Sequence, residues 1–545
     1  MTQPLTPPPS SPNLGNIVAG IWRRDPTAVA GPDAPAVELA EISDRFGWLD
    51  APAAVAGHID EAAGFAAGVR GDGITDVFLL GMGGSSLCSE VLREVPPKSP
   101  GGCRFVVLDT TDERAIRAIT ESLDPARTLF IVASKSGTTL EVTSLEAHFW
   151  SIAEDALGRE AGRHFVAITD PGTPLVDLAA RKRYRATFLN PPDIGGRYSA
   201  LSLFGLIPAA LMGVDLQQIR ANAVQMAARC QLKGEENPGS ALGLFMASHA
   251  LAGRDKLTVL LAPAMNTLGD WIEQLIAEST GKQGRGILPI VREPIGPVRE
   301  YGPDRAFVAV ISDTSGAVAN TARDLERAGH PVFRITTTAA ELGAEFFRWE
   351  FATCLAGALL GVNPFDEPNV SQAKQSTRSQ LAARAATGTF HVDPPFERGD
   401  GYSRRESRPH AGGAKPPSRR FVAILDFLPA DPRRADLFAD LRGAMRRRLG
   451  LATTRGVGPR YLHSTGQFHK GGTNSGIFVL LTATDASATP IPGTEFTFST
   501  LKQAQALGDF DALVANGRHV VHYHLEDPTA DFSVTLERLL GKIDG

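Results

Sequence analysis

The chain has 545 residues, enough for roughly three domains of typical size, and its hydrophobic fraction of 43% is ordinary for a globular protein. A formal net charge of −5 argues against nucleic acid or an anionic membrane as a partner, and no apolar run reaches the ~18 residues of a membrane span. The cysteines show neither CxxC pairing nor metal-ligand spacing, which favours free thiols in a reducing cytoplasm; they are Cys88, Cys103, Cys230 and Cys354.

The predicted strands come in two series. Residues 1–14 are rich in proline and are expected to be a disordered lead. From about residue 74, continuous apolar runs alternate with longer amphipathic stretches, which is typical of parallel strands covered by helices on both faces. The first series consists of DVFLLGMGG (76–84), RFVVLDT (104–110), TLFIVAS (128–134) and HFVAITD (164–170); the second begins near residue 256 and consists of KLTVLLAP, AFVAVISD and HPVFRITT.

The chain changes character after the second series. Residues 386–418 are rich in glycine, proline, arginine and serine, which predicts a linker or an ordered arm with little secondary structure. Residues 419–545 then show strand and helix patterns of their own. We therefore expect an α/β fold class, with two doubly wound parallel-sheet domains over residues 15–233 and 234–385 and a smaller C-terminal α/β domain.

Two polar loops follow predicted strands and could hold a phosphate group. The first, GMGGSS (81–86), is glycine-rich, but a glycine turn after a strand is by itself a weak signal. The second, SKSGTT (134–139), places four hydroxyls, one glycine and one lysine at a strand-to-helix junction. Its alternative interpretation is an N-cap cluster for a helix that begins near Leu140, although one hydroxyl would suffice for that purpose.

A predicted helix within LGDWIEQLIAESTGKQGRG (268–286) carries the most informative carboxylate. Its apolar residues fall at helical spacing, and Gln274 and Glu278 lie four residues apart, on one face of the helix. Glu278 is either a buried general base or a solvated glutamate at the end of a helix. The pattern of this segment alone leaves both interpretations open.

Five motifs in one order resemble the glucose-6-phosphate isomerase family, especially the isomerase half of its fusions with transaldolase. They are GMGGSSL, SKSGTTLEVT, IGGRYSALSLFG (194–205), EQLIAESTGK (273–282) and NPFDEPNVSQAK (363–374). The resemblance implies two sugar-isomerase domains and the interconversion of glucose 6-phosphate and fructose 6-phosphate through a cis-enediol. It also implies a hexose 6-phosphate substrate, a cytoplasmic location and no metal or other cofactor. A homodimer is one expected assembly.

The resemblance also assigns roles to single residues. Glu278 matches the base that moves the proton between C2 and C1, and Arg197 matches the arginine that stabilises the enediolate. Arg197 could instead form a structural ion pair, but the two glycines before it suggest a close backbone approach. Lys374 matches a lysine associated with ring opening, against the alternative of an exposed helix lysine. The matching substrate-binding residues are Gly84, Ser85, Ser134, Lys135 through its backbone, Ser136, Thr139 and Gln274.

Two positions depart from the family pattern. Glu367 stands where the family commonly has glutamine, and its charge would disfavour an anionic substrate unless it is paired, with Lys374 as one partner. The ring-opening histidine has no suitable match before Lys374, since His330 lies at a helix-to-strand turn. We therefore expect the C-terminal domain to supply it, with His463 as the first choice and His469 as the second. Both could also be surface histidines.

Two further functions compete with this interpretation. A broader phosphosugar isomerase would also accept mannose 6-phosphate, and the base, the arginine and the phosphate loops do not distinguish the two. A non-catalytic sugar-phosphate sensor would need the phosphate loop but not Glu278, Arg197 and Lys374 together. The joint presence of these three residues favours an enzyme.

Overall fold

A computed structural model of the chain describes residues 14–314, 316–395, 397–399, 401–407 and 420–527. The predicted disordered lead lies outside the described residues except for Leu14, which begins a helix. In the described part of the chain, no helix combines the length and the apolar character needed to cross a lipid bilayer.

The secondary structure alternates between helices and strands after an all-helical N-terminal segment. The helices are α1 (Leu14–Trp22), α2 (Thr27–Ala30), α3 (Ala36–Ser43), α4 (Ala51–Ala54), α5 (Ile59–Gly71), α6 (Leu87–Glu94), α7 (Glu113–Ser122), α8 (Leu140–Leu157), α9 (Pro174–Arg181), α10 (Leu203–Met212), α11 (Leu216–Arg229), α12 (Pro238–Leu251), α13 (Asn266–Thr280), α14 (Ala317–Arg327), α15 (Leu342–Leu360), α16 (Pro368–Thr387), α17 (Arg434–Leu449), α18 (Gly466–Gly471) and α19 (Phe498–Ala515). The strands are β1 (Asp76–Gly81), β2 (Arg104–Leu108), β3 (Thr128–Ala133), β4 (Phe165–Thr169), β5 (Ala186–Leu189), β6 (Lys256–Leu260), β7 (Leu288–Ile290), β8 (Arg305–Ile311), β9 (Val332–Thr336), β10 (Glu397–Gly399), β11 (Tyr402–Ser407), β12 (Phe421–Phe427), β13 (Ala452–Val457), β14 (Gly476–Ala483) and β15 (His519–Leu525).

The strands form three sheets, and the predicted α/β fold class is confirmed. The first sheet is parallel with the order β2-β1-β3-β4-β5, and the second is parallel with the order β7-β6-β8-β9. The third has the order β10-β11-β15-β14-β12-β13, in which β15, β14, β12 and β13 are parallel and β10 and β11 are antiparallel additions. The strand predictions omitted β5, β7, β10, β11 and β13.

The order of the first sheet brings the two polar loops together. From the interior strand β1 the chain moves to β2 on one side, and it then crosses to β3 on the other side. Gly81 at the end of β1 is therefore paired with Ala133 at the end of β3. Open α/β sheets bind ligands at such a switch point, beyond the carboxyl ends of the strands. The topology thus places GMGGSS and SKSGTT side by side at the edge where a ligand would lie.

The third sheet packs directly against the second. Ala277 of α13 and Ile290 of β7 share a buried apolar cluster with Phe421 and Leu480 of the third sheet. Within the region predicted as a linker or arm, β11 pairs with β15, so this segment contributes two strands to the third sheet. This packing holds the C-terminal unit close to the carboxyl end of α13.

Candidate active site

Glu278 lies in the last turn of α13 and is buried, not solvated. The predicted apolar face of this helix is buried as well, because α13 is enclosed on nearly all sides. The Glu278 side chain is held at one oxygen only, since Oε2 accepts a hydrogen bond from Gln274 Nε2 at 3.1 Å and lies 3.2 Å from Arg197 Nε. Its other oxygen, Oε1, has no hydrogen-bond partner among the described residues. A carboxylate fixed at one oxygen and free at the other can accept a proton at the free oxygen.

The pKa of Glu278 is set by opposing influences. Burial, the largest of them, raises the pKa above its ordinary value. The charge of Arg197 lowers it, while the neighbouring charge of Glu367 raises it again, and the net direction is upward. A raised carboxyl pKa moves the group closer to neutral pH, which suits a residue that both takes and returns a proton.

Arg197 is buried, and its guanidinium is surrounded by acceptors. It sits in the short turn Gly196–Tyr198 and donates to the carbonyl oxygens of Phe365 at 3.2 Å and Asp366 at 3.0 Å. Its Nη2 also donates to Oε2 of Glu367 at 2.8 Å. The guanidinium therefore bridges two carboxylates, the proposed base on one side and a half-exposed glutamate on the other. The partner that Glu367 finds is thus Arg197 and not Lys374.

The close backbone approach lies at Gly84, not at the two glycines before Arg197. A Cβ atom at Gly84 would lie 2.0 Å from the carbonyl oxygen of Gly196, whereas one at Gly196 would have no neighbour within 4 Å. A Cβ atom at Gly195 would make only ordinary contacts. The glycine loop therefore rests directly on the turn that carries Arg197, and only the glycine in the loop is required for the contact.

The SKSGTT loop presents its hydroxyls at the start of α8. Ser134 Oγ lies 2.9 Å from Thr139 Oγ1 and accepts from the backbone N–H of Gly137 at 3.1 Å. Thr139 is the N-cap residue, but its side chain makes no capping hydrogen bond. The first amides of this 18-residue helix are therefore left uncapped by that side chain, as an anion-binding helix start requires.

The remaining residues predicted to bind phosphate have different surroundings. Lys135 turns its ammonium away from the hydroxyls, to Asp170 and to the carbonyl oxygen of Pro192 at 3.0 Å. Ser136 is exposed and lies 3.0 Å from the Thr138 hydroxyl. Ser85 belongs to the neighbouring glycine loop and is buried. Lys135 thus serves as a structural anchor through its side chain.

His463, the first choice for the ring-opening histidine, belongs to the third unit and lies close to α8 and α13. It ends the short turn Arg460–His463, and its Nε2 lies 2.8 Å from Oε1 of Glu141. Its carbonyl oxygen accepts from Gln274 Nε2 at 2.8 Å, so the turn also touches α13. The turn is fixed to the first sheet because Arg460 forms an ion pair of 2.6 Å with Asp109.

Glu141 is a site residue that the sequence reasoning missed. It is buried in the first turn of α8, and its Oε1 also accepts a hydrogen bond from Gln505 at 2.7 Å. Burial opposes its ionisation, but the charge of His463 and the hydrogen bond from it prevail, so the pKa of Glu141 lies below its ordinary value. The position of Glu141, two residues after the last hydroxyl of SKSGTT, was the only hint of its role in the sequence. Its partner His463 lies far away in the sequence, so the contact could not be predicted.

The two other predicted ring-opening residues have different surroundings. Lys374 is exposed on α16, makes no hydrogen bond or ion pair with the described residues, and contributes a positive charge that helps to lower the pKa of Glu141. His469 is buried against Phe478 and Tyr461, with ring centroids 5.1 and 5.8 Å apart, and neither of its nitrogens has a partner in the described part of the chain. Of the two histidines, only His463 contacts residues of the candidate site.

Lys282 holds the 363–367 loop against α13. Its buried ammonium lies 2.6 Å from Asp366 and also contacts the carbonyl oxygen of Asn363. Burial and the nearby charge of Arg197 lower the pKa of Lys282 to about 8. Since the same loop supplies the carbonyl oxygens that bind Arg197, Lys282 positions the arginine indirectly.

Comparison with known proteins finds similarity over the part of the chain that contains most of these residues. A family model described as phosphoglucose isomerase matches residues 58–286, a range that holds both loops, Arg197 and Glu278. The chain is 30% identical over 377 residues to glucose-6-phosphate isomerase of Rubrobacter xylanophilus, a match that covers 59% of this chain and 86% of that protein. It is 29% identical over 357 residues to a glucose-6-phosphate isomerase of Thermus thermophilus, with 57% and 84% covered.

Two solved structures share the fold. A hypothetical protein from Thermus thermophilus superposes with a TM-score of 0.58 at 26% identity and covers 68% of this chain and 94% of that one. A glucose-6-phosphate isomerase from Chlamydia trachomatis superposes with a TM-score of 0.50 at 19% identity, with 70% and 80% covered, which is a likeness of fold alone.

Proposed function

This chain belongs to the glucose-6-phosphate isomerase family, and we propose that it interconverts glucose 6-phosphate and fructose 6-phosphate with Glu278 as the base. The single observation that carries the assignment is the Glu278 carboxylate, which is buried, fixed through Oε2 and free at Oε1. Aldose–ketose isomerisation needs one base that takes a proton from C2 and returns it to C1 on the same face of the substrate. A carboxylate with one free oxygen can perform both steps without leaving its position.

Arg197 would stabilise the negative charge that develops on the cis-enediol. Its guanidinium lies against Glu278 in a buried site, where the electrostatic attraction is stronger than in water. Gln274 would bind a sugar hydroxyl, because its side-chain oxygen is buried without a partner among the described residues while its amide nitrogen holds Glu278 and the His463 carbonyl. An unpaired buried acceptor of this kind calls for a donor from the substrate.

His463 would open the sugar ring, with Glu141 as the residue that orients it. The 2.8 Å contact fixes the imidazole, and the lowered pKa of Glu141 keeps the carboxylate charged opposite it. This arrangement resembles the histidine–carboxylate pairs that hold a general acid–base in position. Lys374 would add positive charge at the same step from the exposed start of α16.

The substrate phosphate would bind at the uncapped start of α8. Ser134 and Thr139 supply adjacent hydroxyls, Ser136 and the Lys135 backbone lie in the same loop, and Ser85 lies in the loop paired with it. Gly84 lets the glycine loop rest against the turn that carries Arg197. Helix amides and hydroxyls at this position are a common anion site.

A coupled assay on fructose 6-phosphate, with mannose 6-phosphate alongside, tests the assignment. We expect Glu278→Gln to lower kcat by about 10²- to 10⁴-fold, because the base is lost while the shape is kept. Glu350→Gln is the matched control: Glu350 is also fully buried and burial raises its pKa well above the ordinary value, but it has no hydrogen-bond partner among the described residues. Near-full activity of Glu278→Gln would overturn the assignment, and comparable turnover of mannose 6-phosphate would favour the broader isomerase.

Three coarser expectations accompany this function. A cytoplasmic location is supported by the four cysteines, all of which are free thiols. Residues 15–233 and 234–385 would form the two sugar-isomerase domains and residues 419–545 the third domain, joined through 386–418. A homodimer is the expected assembly, and sedimentation equilibrium of the purified protein tests it.

A further inference from the structure

A cavity lies beside the candidate active site, between α13 and α17. Its volume of about 550 Å³ falls in the range of small-molecule sites. Asn266, Asp270 and Glu273, at helical spacing on α13, form one wall, and the last residues of β13 form another. None of the residues proposed above for catalysis or phosphate binding lines this cavity.

Glu273 is a buried carboxyl in the wall of this cavity that lacks a partner among the described residues. Its side chain is buried, with 9% of the residue exposed, and it makes no hydrogen bond or ion pair with any described residue. Burial, with a contribution from Asp270, raises the pKa of Glu273 to about 8. Near neutral pH the group is therefore mostly a neutral carboxyl that can donate a hydrogen bond into the cavity.

Three arginines of the lining each form an ion pair with one carboxylate, and Arg455 also lies over the Phe438 ring, 4.1 Å from its centroid. Arg455 donates through Nε and Nη2 to Asp426, and Arg460 contacts Asp109 through the same two nitrogens. Arg292 contacts Asp270 in the same way. In each of the three, Nη1 makes no hydrogen bond to the described residues. Such guanidinium groups are fixed in place and keep a donor for an additional acceptor.

We infer that this cavity is a second binding site, for a small anionic metabolite with a phosphate or carboxylate group. Arg292, Arg455 and Arg460 would donate to the anion, and the Glu273 carboxyl would complete the donor set. The walls include Tyr461 and Ser464, which flank His463, and the helix that carries Glu278. An occupant of this cavity therefore changes isomerisation without entering the substrate site. That effect on isomerisation rests on the proposed function, whereas binding of the anion does not rest on it.

Sulfate is a suitable probe because its charge does not change near neutral pH. Calorimetric titration uses the Ser134→Ala/Thr139→Ala chain, in which the proposed phosphate loop is weakened. We expect one saturable sulfate site, with an affinity at least fivefold lower when Arg292→Gln is added. Arg327→Gln, which changes another exposed guanidinium paired with a carboxylate, is the control and leaves the affinity unchanged. No saturable site, or equal loss in both variants, would overturn the inference.

The pH dependence gives an independent test. Sulfate affinity falls as the pH rises through 8, since Glu273 then becomes an anion, and it stays level in Glu273→Gln. The other charged groups that face the cavity are Asp270, Asp436, Arg292, Arg442, Arg455 and Arg460. The same fall in both proteins would remove Glu273 from the site.

A kinetic measurement tests the connection to catalysis. In the wild-type protein we expect sulfate inhibition to keep a component that excess fructose 6-phosphate does not reverse, and we expect Arg292→Gln to lose that component. Purely competitive inhibition in both proteins would overturn the connection. Activity without sulfate reports on the proposed function separately, so the two failures are distinguishable.

Discussion

The Nε2 atom of His463 lies 2.8 Å from Oε1 of Glu141, although 322 positions separate the two residues in the chain. Glu141 belongs to the helix that follows β3 of the first sheet, whereas His463 belongs to a turn of the C-terminal unit. Gln274 of α13 donates to the His463 carbonyl, so three parts of the chain meet at this histidine. The contact between His463 and Glu141 joins two residues of the same chain.

This pair predicts a specific defect in ring opening. We expect His463→Ala to reduce turnover of the cyclic sugar by about 10²-fold and to affect isomerisation of an open-chain substrate much less, because only the first needs the imidazole. Rapid-mixing kinetics with both forms of substrate measure the difference. Equal effects on both forms would exclude His463 from ring opening.

Glu141→Gln should act through the same histidine. We expect a smaller loss than in His463→Ala, and we expect the double variant to be no worse than His463→Ala alone, since residues that act as a unit are not additive. The four proteins of this cycle are compared in the same assay. Additive losses would mean that Glu141 acts independently of His463.

Glu367→Gln should change the pH dependence of catalysis. The charge of Glu367 contributes to the raised pKa of Glu278, so its removal lowers that pKa. Because the base must be ionised to act, the acidic limb of kcat/KM should move to lower pH. Glu367→Asp keeps the charge and is the control. An unmoved acidic limb in Glu367→Gln would show that Glu367 does not influence the base.

The SKSGTT loop offers a comparison between neighbouring residues. Thr139→Ala should raise KM for fructose 6-phosphate about tenfold, the value of one hydrogen bond to a charged group. Lys135→Met should leave KM unchanged but lower the melting temperature, because its ammonium is paired with Asp170 and with the Pro192 carbonyl. Kinetics and thermal unfolding of both variants test this division, and a large rise of KM in Lys135→Met would contradict it.

Gly84 and Gly196 meet where the glycine loop rests on the turn that carries Arg197, and alanine substitutions at the two positions should have different effects on stability and activity. Gly84→Ala forces a methyl group against the Gly196 carbonyl and should cost about 1–3 kcal/mol of stability along with most activity, because Arg197 is displaced. Gly196→Ala has open space around the added methyl group and should retain both properties. Denaturant unfolding and the coupled assay measure the two effects. Equal tolerance at both positions would contradict the described contact.

Much of the local structure follows from the sequence. The continuous apolar runs predicted β1 to β4 in the first sheet and β6, β8 and β9 in the second, because buried parallel strands and their helices differ in period. The strands β5, β7, β10, β11 and β13 were not predicted, since β5, β7 and β10 have only three or four residues, and polar residues interrupt any apolar run in β11 (YSRRES) and β13 (ATTRGV). The spacing of Gln274 and Glu278 also predicted correctly that both would lie on one face of α13.

The tertiary structure decided which side chains meet. The pattern of the helix alone left Glu278 as either a solvated end residue or a buried base, the family resemblance favoured the base, and the tertiary structure buries the residue against Arg197. Likewise, no local pattern could assign Glu367 to Arg197 or Glu141 to His463. Helical and strand periodicity reports contacts within a few residues, whereas these pairs form because sheet order and domain packing bring distant segments to one edge.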